Sequence, residues 1–456
     1  MKNFKTAIDN FFGISRKGST IGREIFAGVI TFLSMAYILF VNPSILGDAG
    51  MDTGAVFLAT ALSAGLTTIL MGVFAKYPVA LASGMGVNAF FAYTVCIVLG
   101  KSWQYALGCV LISGIIFILI SVTGIRKVII NAIPNSMKYA VSAGIGGFIA
   151  FIGLKNAEII VSNDSTFVAL GSFTNPVLIV GLLGLILTVV LMCLKVKGAI
   201  LIGLVGTCVI GLGANYITAA ITGEALLSTL PSFNISFSGL PSLSPIFGEC
   251  FKEIGNIFTE LDGYVIIFMF LFVDFFDTAG TLVAVGRPAG LINEKGELEG
   301  AEKALLVDAI GTVGGAVLGT STVTSFVEST TGVEAGGRTG LTAVTTGVLL
   351  LLASFLAPLL ALVTSVVTAP ALIVVGVLMA SNLKEIDWSD FTIAVPAFTT
   401  FVTMILTYSI ATGLALGFIM YLVTMVASKR AKEVSIVMYI LPIFFIAYFV
   451  LSAVIA

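Results

Sequence analysis

Residues 77–94 read YPVALASGMGVNAFFAYT, and residues 321–340 read STVTSFVESTTGVEAGGRTG. Each sets an extended, partly β-branched stretch before a glycine-rich helical start. Each is also too short, and too interrupted by glycine or polar residues, to be an ordinary apolar spanning helix. They belong to a chain of 456 residues that is 58% hydrophobic and only 10% charged, with mean hydropathy +1.13. A soluble domain carries about 25% charged residues, so most of this apolar surface needs lipid as its solvent. Two broken segments within an otherwise regular series of apolar runs therefore decide the fold.

About 20 consecutive apolar residues carry a helix across the hydrocarbon core. Such runs lie near 24–44, 54–75, 79–99, 103–123, 134–154, 174–194 and 198–216, then near 261–285, 302–319, 322–336, 339–361, 365–382, 389–410 and 412–428. A polar, Ser/Pro-rich loop at 217–260 separates the two sets. Residues 1–23 form a cytoplasmic amphipathic lead-in, and 429–456 follow as a C-terminal segment. With the N-terminus in the cytoplasm, Lys76, Arg126, Lys127, Lys195, Lys197, Arg287, Lys295, Lys303, Lys384, Lys429, Arg430 and Lys432 fall inside. Only Lys101, Lys155 and Lys252 fall outside. This is the bias of cytoplasmic loops, and omitting one span would reverse it downstream. Fourteen transmembrane segments are therefore expected, in the cytoplasmic membrane. The apolar run at 434–455 fits either a further crossing or a surface helix.

Fourteen divides into seven and seven around the loop, giving repeats over 24–216 and 261–428. Because seven is odd, the second half enters the membrane from the opposite side. The expected fold is thus an all-α membrane protein of two inverted seven-span repeats, an architecture of secondary transporters. The two broken segments, spans 3 and 10, occupy matching positions in the halves. Paired interruptions of this kind point to a transport site; the remaining glycines read as close-packing positions between helices.

A carboxylate at the bilayer centre costs about 2.5–3.5 kcal/mol on insertion scales, so acids within spans point to function. Span 8 reads IIFMFLFVDFFDTAGTLVAVG over 266–286. Asp274 and Asp277 are three apart on one helical face, with Thr278 beside them. Two carboxylates this close repel, which suits a proton-binding site; anchoring by a buried arginine or by helix N-termini is the structural alternative. In span 10, Glu328 follows the extended STVTSFV and opens a helical stretch, where it can accept paired N–H donors from a flat heterocycle. Thr331 supports it, and Glu334, near Gly336, Gly337 and Arg338, reads as structural or gating. Asn88 in span 3 offers both a donor and an acceptor.

Several chemistries are disfavoured. There is no histidine, so proton chemistry near neutral pH must run on carboxylates. The five cysteines lack ligand spacing, and neither a metal set, a phosphate-binding loop nor a catalytic nucleophile is recognisable. A net charge of −2, from 22 basic and 24 acidic residues, gives no reason to expect nucleic acid. No enzyme activity, cofactor or metal is expected.

The motifs SGMGVNAFFAY, FVDFFDTAGTLVAVG and TSFVESTTGVEAGGRTGLTAV resemble those of the nucleobase–cation symporter family, specifically its adenine/guanine/hypoxanthine permease branch. The resemblance covers nearly the whole chain. It implies a core domain from spans 1–4 and 8–11 and a gate domain from spans 5–7 and 12–14, with a short strand and a half-helix in each of spans 3 and 10. It implies substrate binding by Asn88, Asp274, Asp277 and Glu328. The uracil and xanthine branches usually carry a glutamate in span 8 and a histidine nearby, and fit less well. The expected function is proton-coupled import of hypoxanthine, guanine or adenine by alternating access, with Asp274 or Asp277 taking the proton. Transport of another nucleobase, or anion exchange on the same architecture, is the alternative. Partners are then a purine base, a proton and the lipid bilayer, with a homodimer left open.

Overall fold

The computed structural model describes residues 2–123, 133–223, 225–233, 240–286, 288–291, 298 and 300–455. Arg126, Lys127, Arg287 and Lys295, assigned above to the cytoplasmic side, lie outside the described residues. After a helix α1 (Lys2–Phe12) come α2 (Ile21–Met35), α3 (Ile38–Asp48) and α4 (Thr53–Leu70). Strand β1 (Leu81–Ser83) leads into the short helix α5 (Met85–Ala89), which continues as a π-helical stretch, Phe90–Val98. Then follow α6 (Trp103–Thr123), α7 (Asn135–Asn156), β2 (Ile160–Asn163), β3 (Phe167–Leu170), α8 (Pro176–Cys193) and α9 (Ala199–Thr222). A short α10 (Ile254–Thr259) precedes α11 (Leu261–Gly286) and α12 (Ala301–Leu318). Strand β4 (Val323–Ser325) and helix α13 (Ser329–Glu334) come next. The chain closes with α14 (Gly340–Leu352), α15 (Ser365–Ala380), α16 (Phe391–Leu406), α17 (Ile410–Ala427) and α18 (Ile436–Ile455).

Among the described residues, nine helical segments are long and apolar enough to cross a membrane, and Met85–Val98 and Phe391–Leu406 are shorter apolar helices. Polar side chains start several of them. Asp52 accepts the Ala55 N–H at 2.7 Å, Asn175 that of Val177 at 2.9 Å and Asp390 that of Thr392 at 2.9 Å. Each satisfies a donor that the first helical turn leaves free.

Two packing groups emerge. In one, α4 and α2 lie against α14, and α6 against α12 and α11. In the other, α7 lies against α15 and α16, α8 against α9 and α15, and α16 against α17. Glycine pairs bring backbones together in both: a Cβ at Gly347 would come 2.6 Å from the Gly65 carbonyl, and one at Gly376 2.4 Å from the Gly146 carbonyl. In lipid, close van der Waals approach replaces the hydrophobic drive between helices. The C-terminal α18 rests on α17 and α11, with Phe445 6.2 Å from both Phe418 and Phe268.

Three local expectations need correction. The first span, expected near 24–44, runs from Ile21 to Asp48, with α2 and α3 joined at Ala36–Tyr37 by a turn that keeps right-handed helical angles. Besides the strands expected in spans 3 and 10, the structure contains an antiparallel hairpin of β2 and β3 that the sequence reading did not foresee. Asn163 organises its turn by accepting the N–H groups of Ser165 at 2.9 Å and Thr166 at 3.0 Å, the competition with helix that short polar side chains offer. The 217–260 segment is not all loop. Its first residues extend α9 to Thr222, where Gly223 takes φ 72° and donates to the Ala219 carbonyl, and α10 occupies Ile254–Thr259.

Candidate functional site

The site is built where β1 and β4 cross. They pair antiparallel, with Leu81 opposite Ser325, Ala82 opposite Thr324 and Ser83 opposite Val323. Each strand is three residues long, so backbone groups beyond the ladder need other partners, and hydrocarbon supplies none. Gly84 donates to the Thr322 carbonyl at 3.1 Å and Phe326 to the Ala80 carbonyl at 2.9 Å. Thr68 Oγ1 takes the Leu81 N–H at 2.9 Å, Ser329 Oγ the Ala80 N–H at 2.9 Å and Asp308 Oδ1 the Ser325 N–H at 3.1 Å. Beneath the crossing, Asn42 Nδ2 donates to Thr60 at 2.7 Å and Thr320 at 2.9 Å, and Ser83 pairs with Thr320 at 2.8 Å. A pleat this small survives because side-chain oxygens complete it.

The expected acids converge on this crossing from different directions. Asp274, 2% exposed, accepts the Thr312 hydroxyl at 3.1 Å and so faces α12. Asp277, one turn on, faces span 3: a Cβ at Gly84 would lie 3.3 Å from its Oδ2. It also sits within electrostatic range of Asp308 and Glu328. Thr278 donates to Asp308 at 2.8 Å and pairs with Thr324 of β4 at 2.8 Å, tying α11 to α12 and the strand. Asn88 is fully buried on α5; Ser321 donates to its Oδ1, while Nδ2 has no hydrogen-bond partner among the described residues. Glu328 immediately precedes α13 and accepts the Tyr37 hydroxyl at 2.5 Å. Thr331 donates to the Glu328 carbonyl at 2.7 Å and to Ser34 at 2.9 Å. Glu334 is the exception. It is exposed at the far end of α13, about 9 Å along the helix from Glu328 at 1.5 Å per residue.

Three features escaped the sequence reading. Asp308 is a third buried acid beside the pair, and the criterion that selected Asp274 applies equally to its setting, ALLVDAIGTVGG over 304–315. Tyr37 left no signal, since an aromatic in an apolar run reads as packing. The third is a seam along α2. Glu24, fully buried, accepts the N–H groups of Arg338 at 3.0 Å and Thr339 at 3.1 Å and the Thr342 hydroxyl at 2.6 Å. Gly28 takes the Thr346 hydroxyl at 2.9 Å, a Cβ at Gly332 would strike Thr31, and Ser34 and Tyr37 complete the row. Positions 24, 28, 31 and 34 form one helical face, and this face holds the half-helix that follows Glu328.

A cavity of about 400 Å³ lies away from the crossing, lined by Ser44, Asp48, Asn156, Glu158, Thr364 and their neighbours. Tyr93, five residues beyond Asn88, links the two regions: its hydroxyl donates to Asp48 at 2.7 Å. Its ring meets Tyr408 edge-on at 5.6 Å and Phe148 at 6.5 Å. Among the described residues no group of three or more histidines, cysteines or acids could hold a metal.

Comparison with known proteins agrees with this architecture. Residues 22–416 match the model of the Permease family of xanthine/uracil permeases. The chain is 49% identical over 449 residues to the guanine/hypoxanthine permease PbuG of Bacillus subtilis, covering 96% of this chain and 99% of that one. It is 41% identical over 439 residues to the adenine permease AdeQ of Escherichia coli, covering 96% and 94%. Among solved structures, the transmembrane domain of a cyanobacterial bicarbonate transporter, BicA, superposes with TM-score 0.60 at 15% identity over 89% of this chain and 97% of that one. SLC26A9 does so with TM-score 0.59 at 11% identity, over 93% and 69%. At that identity the likeness concerns the fold alone. Its relatives are transporters rather than enzymes, and with a family match over most of its length the chain belongs to the permease family, among nucleobase permeases.

Proposed function

We propose that this protein imports purine bases (hypoxanthine, guanine or adenine) by proton symport across the cytoplasmic membrane, with its N-terminus inside. The observation that carries the reading is the meeting of Asp277, Gly84 and Glu328 at the β1–β4 crossing, with Asn88 on the helix that follows β1. In this reading a planar base donates N–H groups to Glu328 and a span-8 aspartate, and Asn88 Nδ2 donates to a ring nitrogen or carbonyl. Thr278 and Thr331 hold the acids in place, and Glu334 acts at the exposed end of the half-helix. The relatives named for guanine/hypoxanthine and adenine transport support the substrate class.

Fourteen spans in two inverted repeats, over 24–216 and 261–428, complete the proposal. The two packing groups serve as core and gate. Proton binding to Asp274 or Asp277 neutralises the site and permits one group to move against the other. Contact of Tyr93 with Phe148 and Tyr408 supports alternating access, since it joins the two groups beside the cavity at Asp48. One charge crossing ~100 mV yields ~2.3 kcal/mol, which at ~1.4 kcal/mol per decade supports roughly 50-fold accumulation of a neutral base. Anion exchange is the rival on this fold, but the side chains at the crossing are carboxylates, amides and hydroxyls, a poor setting for an anion.

Uptake of labelled hypoxanthine, guanine and adenine into proteoliposomes, with and without a protonophore, tests the reading. Saturable uptake that collapses when the proton gradient is dissipated is expected. Uptake indifferent to the gradient overturns the coupling, and unchanged transport by Glu328→Ala overturns the site.

A further inference from the structure

Within span 1, Tyr37 lies at the turn that joins α2 to α3. Its side chain is fully buried, and its hydroxyl donates to Oε1 of Glu328 at 2.5 Å. The carboxylate of Glu328 projects from the turn before α13, whose six residues cannot fix it alone. The α2 seam fixes the backbone instead. Thr331 reaches Ser34 at 2.9 Å, and Gly332 packs on Thr31 and the Ala27 carbonyl with no room for a Cβ. Tyr37 ends that seam and is the contact that reaches the functional atoms.

We propose that Tyr37 is a positioning residue of the transport site: its hydroxyl orients the Glu328 carboxylate by occupying Oε1, so that Oε2 is the oxygen presented to an N–H donor of the base. The proposal rests on the purine-transport reading of the same site. A carboxylate held by one strong donor has its rotation settled before substrate arrives, which lowers the ordering cost of binding. Removing the hydroxyl therefore weakens substrate binding and leaves the later conformational steps intact.

Tyr37→Phe keeps the ring and removes only the donor. In proteoliposomes with equal amounts of inserted protein, its KM for hypoxanthine is expected to rise about tenfold, the scale of a hydrogen bond to a charged group. Vmax is expected to change less than about twofold, because the lost contact is made before and during movement alike. Thr188→Val, which removes a buried hydroxyl that donates to the Gly184 carbonyl of its own helix, is expected to leave KM within about twofold. An unchanged KM in Tyr37→Phe, or an equal rise in Thr188→Val, overturns the assignment. Should Tyr37→Phe fail to reach the membrane, 3-fluorotyrosine at position 37 keeps the hydroxyl and reports the contact directly. Its fluorine resonance in the substrate-free protein is expected to move when Glu328→Gln removes the charged acceptor, and a resonance that stays put overturns the proposal. Wild-type protein that takes up no purine base overturns the transport reading itself, whereas active wild type with an unaffected Tyr37→Phe overturns only the role of Tyr37.

Discussion

Asp308 Oδ1 accepts the backbone N–H of Ser325 at 3.1 Å, so a carboxylate on α12 closes the hydrogen bonding of a strand on the neighbouring segment. The same carboxylate takes the Thr278 hydroxyl at 2.8 Å. Of the acids at the crossing, Asp308 is thus the brace, while Asp277 lies beside Gly84 and Glu328 accepts from Tyr37.

Asp308→Ala should destabilise the protein by about 1–3 kcal/mol, because it strands a buried backbone donor. Asp308→Asn keeps an acceptor and should lose less. Thermal unfolding midpoints in detergent, followed by tryptophan emission, give the order wild type, Asn, Ala from most to least stable. Equal midpoints for Ala and wild type contradict the brace.

Gly84 tolerates no side chain. A Cβ there would lie 2.5 Å from Thr324 Cγ2, and Gly84→Ala should cost about 1–3 kcal/mol by overpacking, with loss of uptake. Thr324→Ser removes that methyl but keeps the hydroxyl that pairs with Thr278. The double variant Gly84→Ala/Thr324→Ser should therefore recover uptake that the single variant lacks.

Glu24 acts as a cap supplied from another helix. Its carboxylate holds the N–H of Thr339, the residue before α14, and the Thr342 hydroxyl. Glu24→Ala should expose these donors at a cost of about 1–3 kcal/mol. Faster protease cleavage between Gly336 and Gly340 in the detergent-solubilised protein is the expected readout, with Glu24→Gln intermediate.

A pH effect is expected outside the membrane. Lys101 reaches Glu260 at 2.6 Å and Asp262 at 3.4 Å, tying the turn before α6 to the start of α11. The hydrogen bond from Lys101 holds the Glu260 carboxyl below its usual range. A lowered folded-state value means that the tether stabilises at neutral pH, fully so above the ordinary glutamate value of about 4.3, and is lost as pH falls through the lower value. Being partly exposed, it should be worth about 0.2–1 kcal/mol. Lys101→Ala should lower the unfolding midpoint at pH 7, and its difference from wild type should begin to shrink below about pH 4.3 and vanish only below the lowered Glu260 value.

Much of the candidate site was legible from residue type and position. Asp274, Asp277, Glu328 and Asn88 stood out because charge or amide inside an apolar run is costly, and the structure brings their segments to one crossing. Asp308 was equally visible by that criterion and was passed over. Tyr37 and Glu24 were not visible, since one looks like core packing and the other like a charge at a membrane edge. Glu334, adjacent in sequence to the glycines of span 10, sits exposed because six helical residues carry it away from the strand.

The sequence by itself determined that lipid is the solvent, where the apolar runs lie and that two of them are broken. Composition and period act locally, and every residue of a run contributes to them. Only the tertiary structure decided that the two breaks pair with each other, which acid braces the strand, and that span 1 carries the half-helix after Glu328. Those outcomes depend on partners more than two hundred residues apart, such as Leu81 with Ser325 and Tyr37 with Glu328. In hydrocarbon each backbone group at a break must find such a partner, and the sequence states the need without naming what meets it.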